Sequence, residues 1–323
     1  MTRAIRIHET GGPEVLRWED VPLESPRADE VLLRQTAVGL NYIDTYHRTG
    51  LYPLELPAIL GREAAGVIEA VGNAVESLAV GDRVAYALEP GSYCEARVIA
   101  AGRLVRLPES IDDRTAAAMM LKGLTAQYLL RRCYRVQAGD TILIHAAAGG
   151  VGLIACQWAK ALGATVIGTV GSAEKAALAR SYGCDHPILY REQNFVERVR
   201  ELTDGVGVKA VYDSVGRDTF NGSLDCLETR GMLVSFGQSS GPVEPFDIGV
   251  LAVKGSLNLT RPSLAHFIAT KTELDSAAAE LFDLHASGAL RIEIGRTYPL
   301  GEAIQAHRDL EARATSGSTV LLP

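Results

Sequence analysis

A glycine-rich run in the middle of the chain carries the clearest chemical signal. Ala147-Ala148-Gly149-Gly150-Val151-Gly152 follows the apolar run TILIHA (141–146) and opens a stretch with helical spacing. Between a strand and a helix, glycines let the backbone approach a pyrophosphate, and the helix N-terminus offers free N–H groups. A glycine turn with only a packing role is the alternative, but the strand–turn–helix context argues against it. The run therefore predicts a dinucleotide site at Gly149, Gly150, Val151 and Gly152.

The tip of the next predicted strand indicates which dinucleotide binds. TVIGTV (165–170) ends in Gly171 and Ser172, with no acid where an NAD site places a carboxylate for the ribose 2′-OH. Glu174 lies beyond the tip, already in the next helix, and Lys175 follows it. A lysine on a helix is often only a solvated residue, but here it could pair with a 2′-phosphate. We therefore expect NADPH rather than NADH.

The elements around these residues alternate between strand and helix. TILIHA, TVIGTV, HPILY (186–190), VKAVYDSVG (208–216), GMLVSFG (231–237) and KGSLNLT (254–260) read as strands. Helical runs separate them, including one around Ser223 to Glu228. Such alternation predicts an α/β fold with a doubly wound parallel sheet. Before about Leu107 the runs are short and β-rich, and the final STVLLP (318–323) is a strand that we expect to return to this N-terminal part.

Composition limits the kinds of partner. The chain has 323 residues, which suggests two domains, and its net charge of −7 argues against nucleic acid or an anionic membrane. Five scattered cysteines without CxxC spacing fit a reducing compartment, and the N-terminus lacks an apolar leader, so we expect a cytoplasmic protein. Residues 141–159 lack charge over the length of a membrane span, but the glycine turn inside them favours a strand and a helix.

Several long motifs carry a family resemblance that spans essentially the whole chain. GREAAGVIEAVGNAVESLAVGDRV (61–84) resembles the signature of medium-chain dehydrogenases/reductases. LKGLTAQYLL (121–130), HAAAGGVGLIACQWAKALGA (145–164), YDSVGRD (212–218) and VSFGQSSG (234–241) are similar to the zinc-independent, zeta-crystallin-like quinone oxidoreductases. The resemblance implies a GroES-like catalytic domain over 1–122, completed by 267–323, and an NADPH-binding Rossmann domain over 123–266. It also implies a homodimer, with KGSLNLT as the candidate edge.

Zinc-dependent members of this superfamily hold a catalytic zinc with two cysteines and a histidine. The matching positions here are Asn41, Arg62 and, with a less certain alignment, Lys122. These side chains cannot form a zinc site, so the resemblance implies an enzyme without a metal. Asp44 and Glu63 remain where zinc enzymes keep supporting carboxylates, and we expect them to support the structure, for example by pairing with Arg62.

Lack of zinc changes the chemistry that the resemblance implies. A quinone is a strong electrophile that gains aromaticity on reduction, so orientation and a hydrogen-bond donor suffice for hydride transfer from NADPH. By resemblance, Asn41, Tyr46 and Tyr52 face the nicotinamide and the substrate. Tyr46 lies where zinc enzymes place a proton-relay histidine and is our candidate proton donor, although a tyrosine in this loop could simply pack.

The remaining cofactor residues are also carried over from the family or from their place after strands. Lys175, Tyr190 and Arg313 match positions that bind the adenosine 2′-phosphate, beside Gly171 and Ser172. Strand ends at the carboxyl edge of a doubly wound sheet bind ligands, which predicts further contacts from Ser214, Phe236, Gly237 and Ser239. Thr125 and Thr260 are additional nicotinamide candidates.

Two other functions stay open at the level of sequence. Zinc-free relatives also reduce α,β-unsaturated carbonyls with NADPH, and this chemistry is the same hydride addition to a conjugated acceptor. A non-enzymatic role, as a structural protein or RNA binder like zeta-crystallin, is the third reading. The negative net charge argues against RNA binding, and the intact glycine turn argues for an oxidoreductase.

Overall fold

The computed structural model describes residues 1–323, and the chain folds into two units. The first unit comprises Met1–Lys122, Ile268–Phe282 and Ile292–Pro323; the second comprises Gly123–Phe267 and Asp283–Arg291. Our sequence-based domain limits differ from this division mainly at 283–291. That segment packs with the second unit because the Gln157 amide donates to the Arg291 carbonyl at 3.0 Å and accepts from the Arg291 N–H at 2.9 Å.

Sixteen strands and nine α-helices make up the chain. In chain order the strands are β1 Thr2–Ile7, β2 Arg17–Val21, β3 Glu30–Leu40, β4 Ala58–Ile59, β5 Glu63–Val71, β6 Arg83–Ala87, β7 Ala96–Ala100, β8 Val105–Arg106, β9 Thr141–Ile144, β10 Thr165–Val170, β11 His186–Leu189, β12 Val208–Asp213, β13 Leu227–Ser235, β14 Asn258–Thr260, β15 Ile294–Pro299 and β16 Ser318–Leu322. The helices are α1 Tyr42–Arg48, α2 Asp113–Tyr128, α3 Gly150–Ala161, α4 Ala173–Ser181, α5 Phe195–Leu202, α6 Phe220–Asp225, α7 Gly249–Val253, α8 Lys271–Ala286 and α9 Ala303–Glu311.

The first unit is built on a sheet of order β15-β16-β3-β5-β6-β8, with β7 also paired to β3. A smaller sheet of order β2-β1-β4 packs beside it. Strand β3 alternates between core and surface, with Val31 and Leu33 fully buried, because alternate side chains of a strand point to opposite faces. The predicted return of the last strand is confirmed, since β16 pairs antiparallel with β3.

The second unit contains a six-stranded sheet of order β11-β10-β9-β12-β13-β14, parallel throughout. In order of appearance this is 3-2-1-4-5-6, the Rossmann arrangement, which confirms the predicted α/β fold. Apolar side chains from neighbouring strands fill its core, including Leu143, Ile167, Val211 and Leu233. Such a sheet aligns the carboxyl ends of its strands along one edge, where ligands bind.

Two predicted elements are wrong in their limits. The helix expected around Ser223 to Glu228 ends at Asp225, because Leu227 already pairs with Val208 as the start of β13. The strand expected over 254–260 is reduced to Asn258–Thr260. Strand β14 has β13 as its single neighbour, so one side of it is open; the homodimer itself stays a prediction.

The uncharged run 141–159 forms β9, the glycine turn and most of α3. No helix in the structure has both the length and the apolar character needed to cross a membrane.

Candidate active site

The glycine turn lies between β9 and α3, as predicted. The left-handed residue of the turn is Ala146, with a φ of 54°, whereas Gly149 is extended and caps the helix. Gly152 cannot be replaced without displacement, since a Cβ there would lie 2.3 Å from the Ala146 carbonyl oxygen. The close approach of helix to strand therefore depends on Gly152, and the first-turn N–H groups of Gly150, Val151 and Gly152 lack intrahelical partners. This arrangement fits a bound pyrophosphate.

The tip of β10 gathers the residues predicted to face a 2′-phosphate. Ser172 caps α4, and its hydroxyl accepts from the Lys175 N–H at 3.3 Å. A Cβ on Gly171 would lie 3.1 Å from the Tyr190 hydroxyl, so Tyr190 packs directly against this glycine. Ser172 also donates to the Glu174 carboxylate and holds its pKa below the ordinary value. The Glu174 carboxylate thus lies closer to the tip of β10 than the sequence indicated. Glu174 and Lys175 both belong to the first turn of α4.

The ends of β12 and β13 bring together four more predicted residues. The Asp213 carbonyl accepts from the N–H groups of Phe236 and Gly237, at 2.8 and 3.2 Å, and the Ser239 N–H donates to the Ser214 carbonyl at 3.2 Å. A Cβ on Gly237 would lie 2.5 Å from the Ser214 carbonyl oxygen, so only glycine fits between these loops.

Two weaker candidates occupy different places in the second unit. Thr260 ends β14, in register with Val234 of β13, and so lies at the same carboxyl edge. Thr125 is buried within α2. A role in cofactor binding stays a prediction for both.

A buried histidine braces the same edge, and our sequence analysis missed it. His145 contacts the Thr169 hydroxyl through Nδ1 at 2.9 Å and the Ser223 hydroxyl through Nε2 at 3.0 Å. Ser223 donates to Asp213 Oδ2 at 2.9 Å. Burial lowers the pKa of His145, which keeps the ring neutral. One neutral imidazole thus connects the ends of β9, β10 and β12. The contact between His145 and Ser223 spans 78 residues, so no local sequence pattern predicts it.

In the first unit, Asn41 joins the end of β3 to α1. Its backbone N–H donates to Asp44 Oδ2 at 2.9 Å, and its side-chain amide donates to Glu63 Oε2 at 2.8 Å. Asn41 is 5% exposed, and its backbone N–H and its amide are bonded to carboxylates of the first unit. Its contact with the substrate stays a prediction. This bonding fixes the start of the helix that carries Tyr46.

The Glu63 carboxylate is fully buried and receives three donors. Besides Asn41, Lys122 Nζ lies 3.1 Å from Oε2, and the Leu121 N–H donates to Oε1 at 2.6 Å. Gly39 leaves room for this carboxylate, since a Cβ there would lie 2.4 Å from Oε2. Two of the three positions that match zinc ligands in other family members therefore bind one carboxylate.

The predicted pairing of Arg62 with Asp44 and Glu63 is wrong. Arg62 donates through Nε to His47 Nε2 at 2.9 Å and through Nη1 to the Leu88 carbonyl at 2.7 Å. Glu63 pairs with Lys122 instead, since Glu63 begins β5, Lys122 lies in the middle of α2, and their charged atoms are 3.1 Å apart.

Tyr46, in α1, and Tyr52, in the loop after this helix, lie side by side. Their ring centroids are 5.1 Å apart in an edge-to-face arrangement, and the Tyr52 N–H donates to the Tyr46 carbonyl at 3.0 Å. Tyr46 is mostly buried. Arg313 belongs to the first unit, just after α9, with a left-handed φ of 57°. The predicted roles of these three residues stay predictions.

A second buried network of polar groups begins at Asp44, and our sequence analysis did not predict it. Tyr93 donates to Asp44 Oδ2 at 2.9 Å, and His307 Nε2 lies 3.1 Å from the Tyr93 hydroxyl. Arg48 donates to His307 Nδ1 at 3.0 Å and forms a bidentate ion pair with Glu311, at 2.7 and 3.0 Å. Since Arg48 donates to Nδ1, the His307 proton lies on Nε2 and points to Tyr93.

Burial controls the protonation states of the groups in this network. It raises the pKa of Asp44 to about 6, partly offset by bonds from the Asn41 N–H and the Tyr93 hydroxyl. Burial, together with the Arg48 charge, lowers the pKa of His307 to about 3. At neutral pH the network therefore consists of the Arg48 guanidinium, the neutral His307 imidazole, the Tyr93 phenol and the Asp44 carboxylate.

We predict that Lys122→Met removes the only cation bonded to Glu63 and lowers the free energy of unfolding by about 3–5 kcal/mol. Urea denaturation measures the loss. The double variant Glu63→Gln, Lys122→Met should recover much of it, because no buried charge is left unpaired. Lys160→Met, which breaks the exposed pair with Asp185, should cost no more than about 1 kcal/mol. Equal losses for Lys122→Met and Lys160→Met would contradict the assignment.

We predict a pH dependence of stability from His307. Because its pKa is lowered on folding, its contribution is complete above pH 6.5 and is lost as the pH falls towards 3. The difference in unfolding free energy between wild type and His307→Gln should therefore shrink by up to about 1.4 kcal/mol per pH unit below pH 6.5. The contribution of Asp44 to stability has the opposite pH dependence, but Asp44 is present in both proteins, so it largely cancels in the difference. The exposed His186→Gln serves as control; a similar trend there would refute the prediction.

Comparison with known proteins shows which proteins the chain as a whole is similar to. Residues 27–136 match the family model of the alcohol dehydrogenase GroES-like domain, and 150–280 match that of the zinc-binding dehydrogenases. A quinone oxidoreductase of Pseudomonas aeruginosa is 55% identical, and a 2-haloacrylate reductase of Burkholderia sp is 48% identical; each alignment covers at least 99% of both chains.

Solved structures give the same result. An Escherichia coli quinone oxidoreductase complexed with NADPH superposes with a TM-score of 0.98, at 50% identity over 100% of both chains. The resemblance found in the sequence motifs is thus confirmed over the full length. The chain belongs to the quinone oxidoreductases, zeta-crystallin-like members of the medium-chain dehydrogenase/reductase superfamily.

Proposed function

We propose that this protein reduces quinones to hydroquinones with NADPH, without a catalytic zinc. The observation that carries the proposal is the tip of β10, where Gly171, Ser172, Lys175 and Tyr190 come together beside a Rossmann glycine turn. A relative with the same full-length fold is a quinone oxidoreductase complexed with NADPH. The balanced reaction consumes one NADPH, one quinone and one proton, and releases hydroquinone and NADP⁺.

The residues of the second unit supply the kinds of group that the cofactor needs. The N–H groups of Gly150, Val151 and Gly152 would hold the pyrophosphate, and Lys175 with Tyr190 would hold the 2′-phosphate. Ser214, Phe236, Gly237, Ser239 and Thr260, at the carboxyl edge, would position the nicotinamide. When bound, NADPH supplies the hydride that reduces the quinone.

The first unit supports the zinc-free part of the proposal through its donor set. Asn41 and Lys122 both bond to Glu63, and Arg62 bonds to His47 and Leu88. Amide, ammonium and guanidinium groups are not zinc ligands. A quinone needs no Lewis acid for reduction, since orientation and one hydrogen-bond donor stabilise the developing oxyanion. We assign the donor role to Tyr46, with Asn41 and Tyr52 as contacts of the substrate.

A second candidate function is the reduction of an activated carbon–carbon double bond. The observation in its favour is the Burkholderia relative, a 2-haloacrylate reductase, which is nearly as similar to this chain as the quinone oxidoreductases. Both reactions add a hydride to a conjugated acceptor, so the same cofactor geometry serves each.

The substrate class is tested by steady-state NADPH oxidation. We expect higher kcat/KM for 1,4-naphthoquinone and 9,10-phenanthrenequinone than for small enones or 2-chloroacrylate. Faster turnover of the enones or of 2-chloroacrylate than of every quinone would favour the second function. NADPH binding without oxidation by any acceptor would favour a non-enzymatic role.

The cofactor assignment is tested by Lys175→Ala. We expect the Kd of NADPH to rise about 10- to 100-fold, because a charge-assisted hydrogen bond to the 2′-phosphate is lost. The Kd of NADH should change far less, since NADH has no such phosphate. Fluorescence titration measures both. Lys209→Ala, which breaks an exposed pair with Glu228, is the control. Equal losses for NADPH and NADH would refute the assignment of Lys175.

A further inference from the structure

Arg62 is a cation whose hydrogen bonds are all to neutral groups. Nε donates to the His47 ring at 2.9 Å, and Nη1 donates to the Leu88 carbonyl at 2.7 Å. Burial together with the Arg62 charge lowers the pKa of His47 to about 4, so this partner is an uncharged imidazole at neutral pH. The two bonds fix the guanidinium plane without neutralising its charge, and the side chain is partly exposed.

The other ionised groups of the first unit leave this charge without an ion pair. Lys122 pairs with Glu63 and Arg48 pairs with Glu311. The carboxylates that act on Arg62 from a distance are Asp44 and Glu89. Both have other partners, since Asp44 receives the Tyr93 hydroxyl and Glu89 lies 3.1 Å from Arg103. Arg62 therefore stands out as a fixed, partly desolvated guanidinium with donors to spare.

A row of aromatic rings leads to this guanidinium. Tyr42 and Tyr46 have centroids 5.5 Å apart, Tyr46 and Tyr52 are 5.1 Å apart, and Tyr52 and His47 are 5.7 Å apart. His47 ends the row and accepts directly from Arg62. Flat apolar ligands bind to such rings by stacking or edge contacts. A ligand on this row that carries an anionic oxygen group could reach a guanidinium suited to two-pronged hydrogen bonding.

We propose that Arg62 and this aromatic row form a subsite for aromatic or conjugated acceptors that carry a carboxylate or sulfonate. The subsite deepens the proposed function, because it names a class of acceptor that the enzyme prefers. Arg62 binds the anionic group, and the partly exposed ring of Tyr52 contacts the conjugated system, while the buried rings of Tyr46 and His47 support it from behind. Neutral quinones use the rings alone.

Binding is measured first, independently of turnover. Isothermal titration of the NADP⁺-saturated protein uses naphthalene-2-sulfonate as the anionic probe and 2-naphthol as its neutral counterpart. In Arg62→Gln we expect the Kd of the sulfonate to rise about 10- to 100-fold, while that of 2-naphthol changes less than about threefold. Arg62→Lys keeps the charge but loses the planar fork, so it should fall between wild type and Arg62→Gln. Arg106→Gln, an exposed arginine paired with Asp82, is the matched control.

Turnover gives the second readout. The ratio of kcat/KM for 1,4-naphthoquinone-2-sulfonate to that for 1,4-naphthoquinone should fall by a similar factor in Arg62→Gln, and added KCl should lower the wild-type ratio. Circular dichroism checks that the variants are folded. If Arg62→Gln does not fold, Arg62→Lys and the salt titration test the subsite instead. Sulfonate binding that is insensitive to Arg62 and to salt overturns the subsite, whether or not quinones are reduced. Failure of wild type to reduce either quinone, with sulfonate binding still dependent on Arg62, counts against the proposed function alone.

Discussion

The buried carboxylate of Glu63 is the constraint around which the first unit is arranged. A carboxylate without water must receive compensating donors, and here a side-chain amide, a backbone N–H and an ammonium supply them from the end of β3 and from α2. Gly39 is required beside it, because any side chain there would meet the carboxylate oxygen. The same bonds fix Asn41 at the start of α1 and so place the aromatic row of Tyr46, Tyr52 and His47.

The second unit meets a related requirement with neutral groups. The carboxyl ends of its parallel strands must stay open to a dinucleotide, so their polar atoms cannot be covered by apolar packing. His145, kept neutral by burial, joins Thr169 to Ser223, and Ser223 in turn bonds to Asp213. This bracing leaves the glycine turn, the β10 tip and the loop around Gly237 in fixed positions. Under the proposed function, such preorganisation would be the contribution of this unit to hydride transfer.

Features with local causes could be predicted from the sequence, and features with distant partners could not. Strands β9 and β10 and the turn between β9 and α3 follow from short apolar runs and glycines, and the parallel sheet follows from the alternation of strands with helices. The partner of Glu63 was mispredicted because Lys122 lies 59 residues away in the sequence. The Tyr93–His307 contact spans 214 residues and leaves no pattern. Helix α6 was predicted too long because pairing of Leu227 with Val208 overrides its helical surroundings.

We propose that the amide–carboxylate–ammonium cluster of Asn41, Glu63 and Lys122 stands in place of a catalytic metal in an NADPH-dependent quinone reductase. The direct measurement is zinc content, by inductively coupled plasma mass spectrometry, alongside kcat/KM for 1,4-naphthoquinone on the same sample. Protein dialysed against a chelator should contain far less than one zinc per chain and keep its full activity, and added zinc should not increase it. Activity that disappears with the zinc and returns in proportion to added zinc would contradict the account.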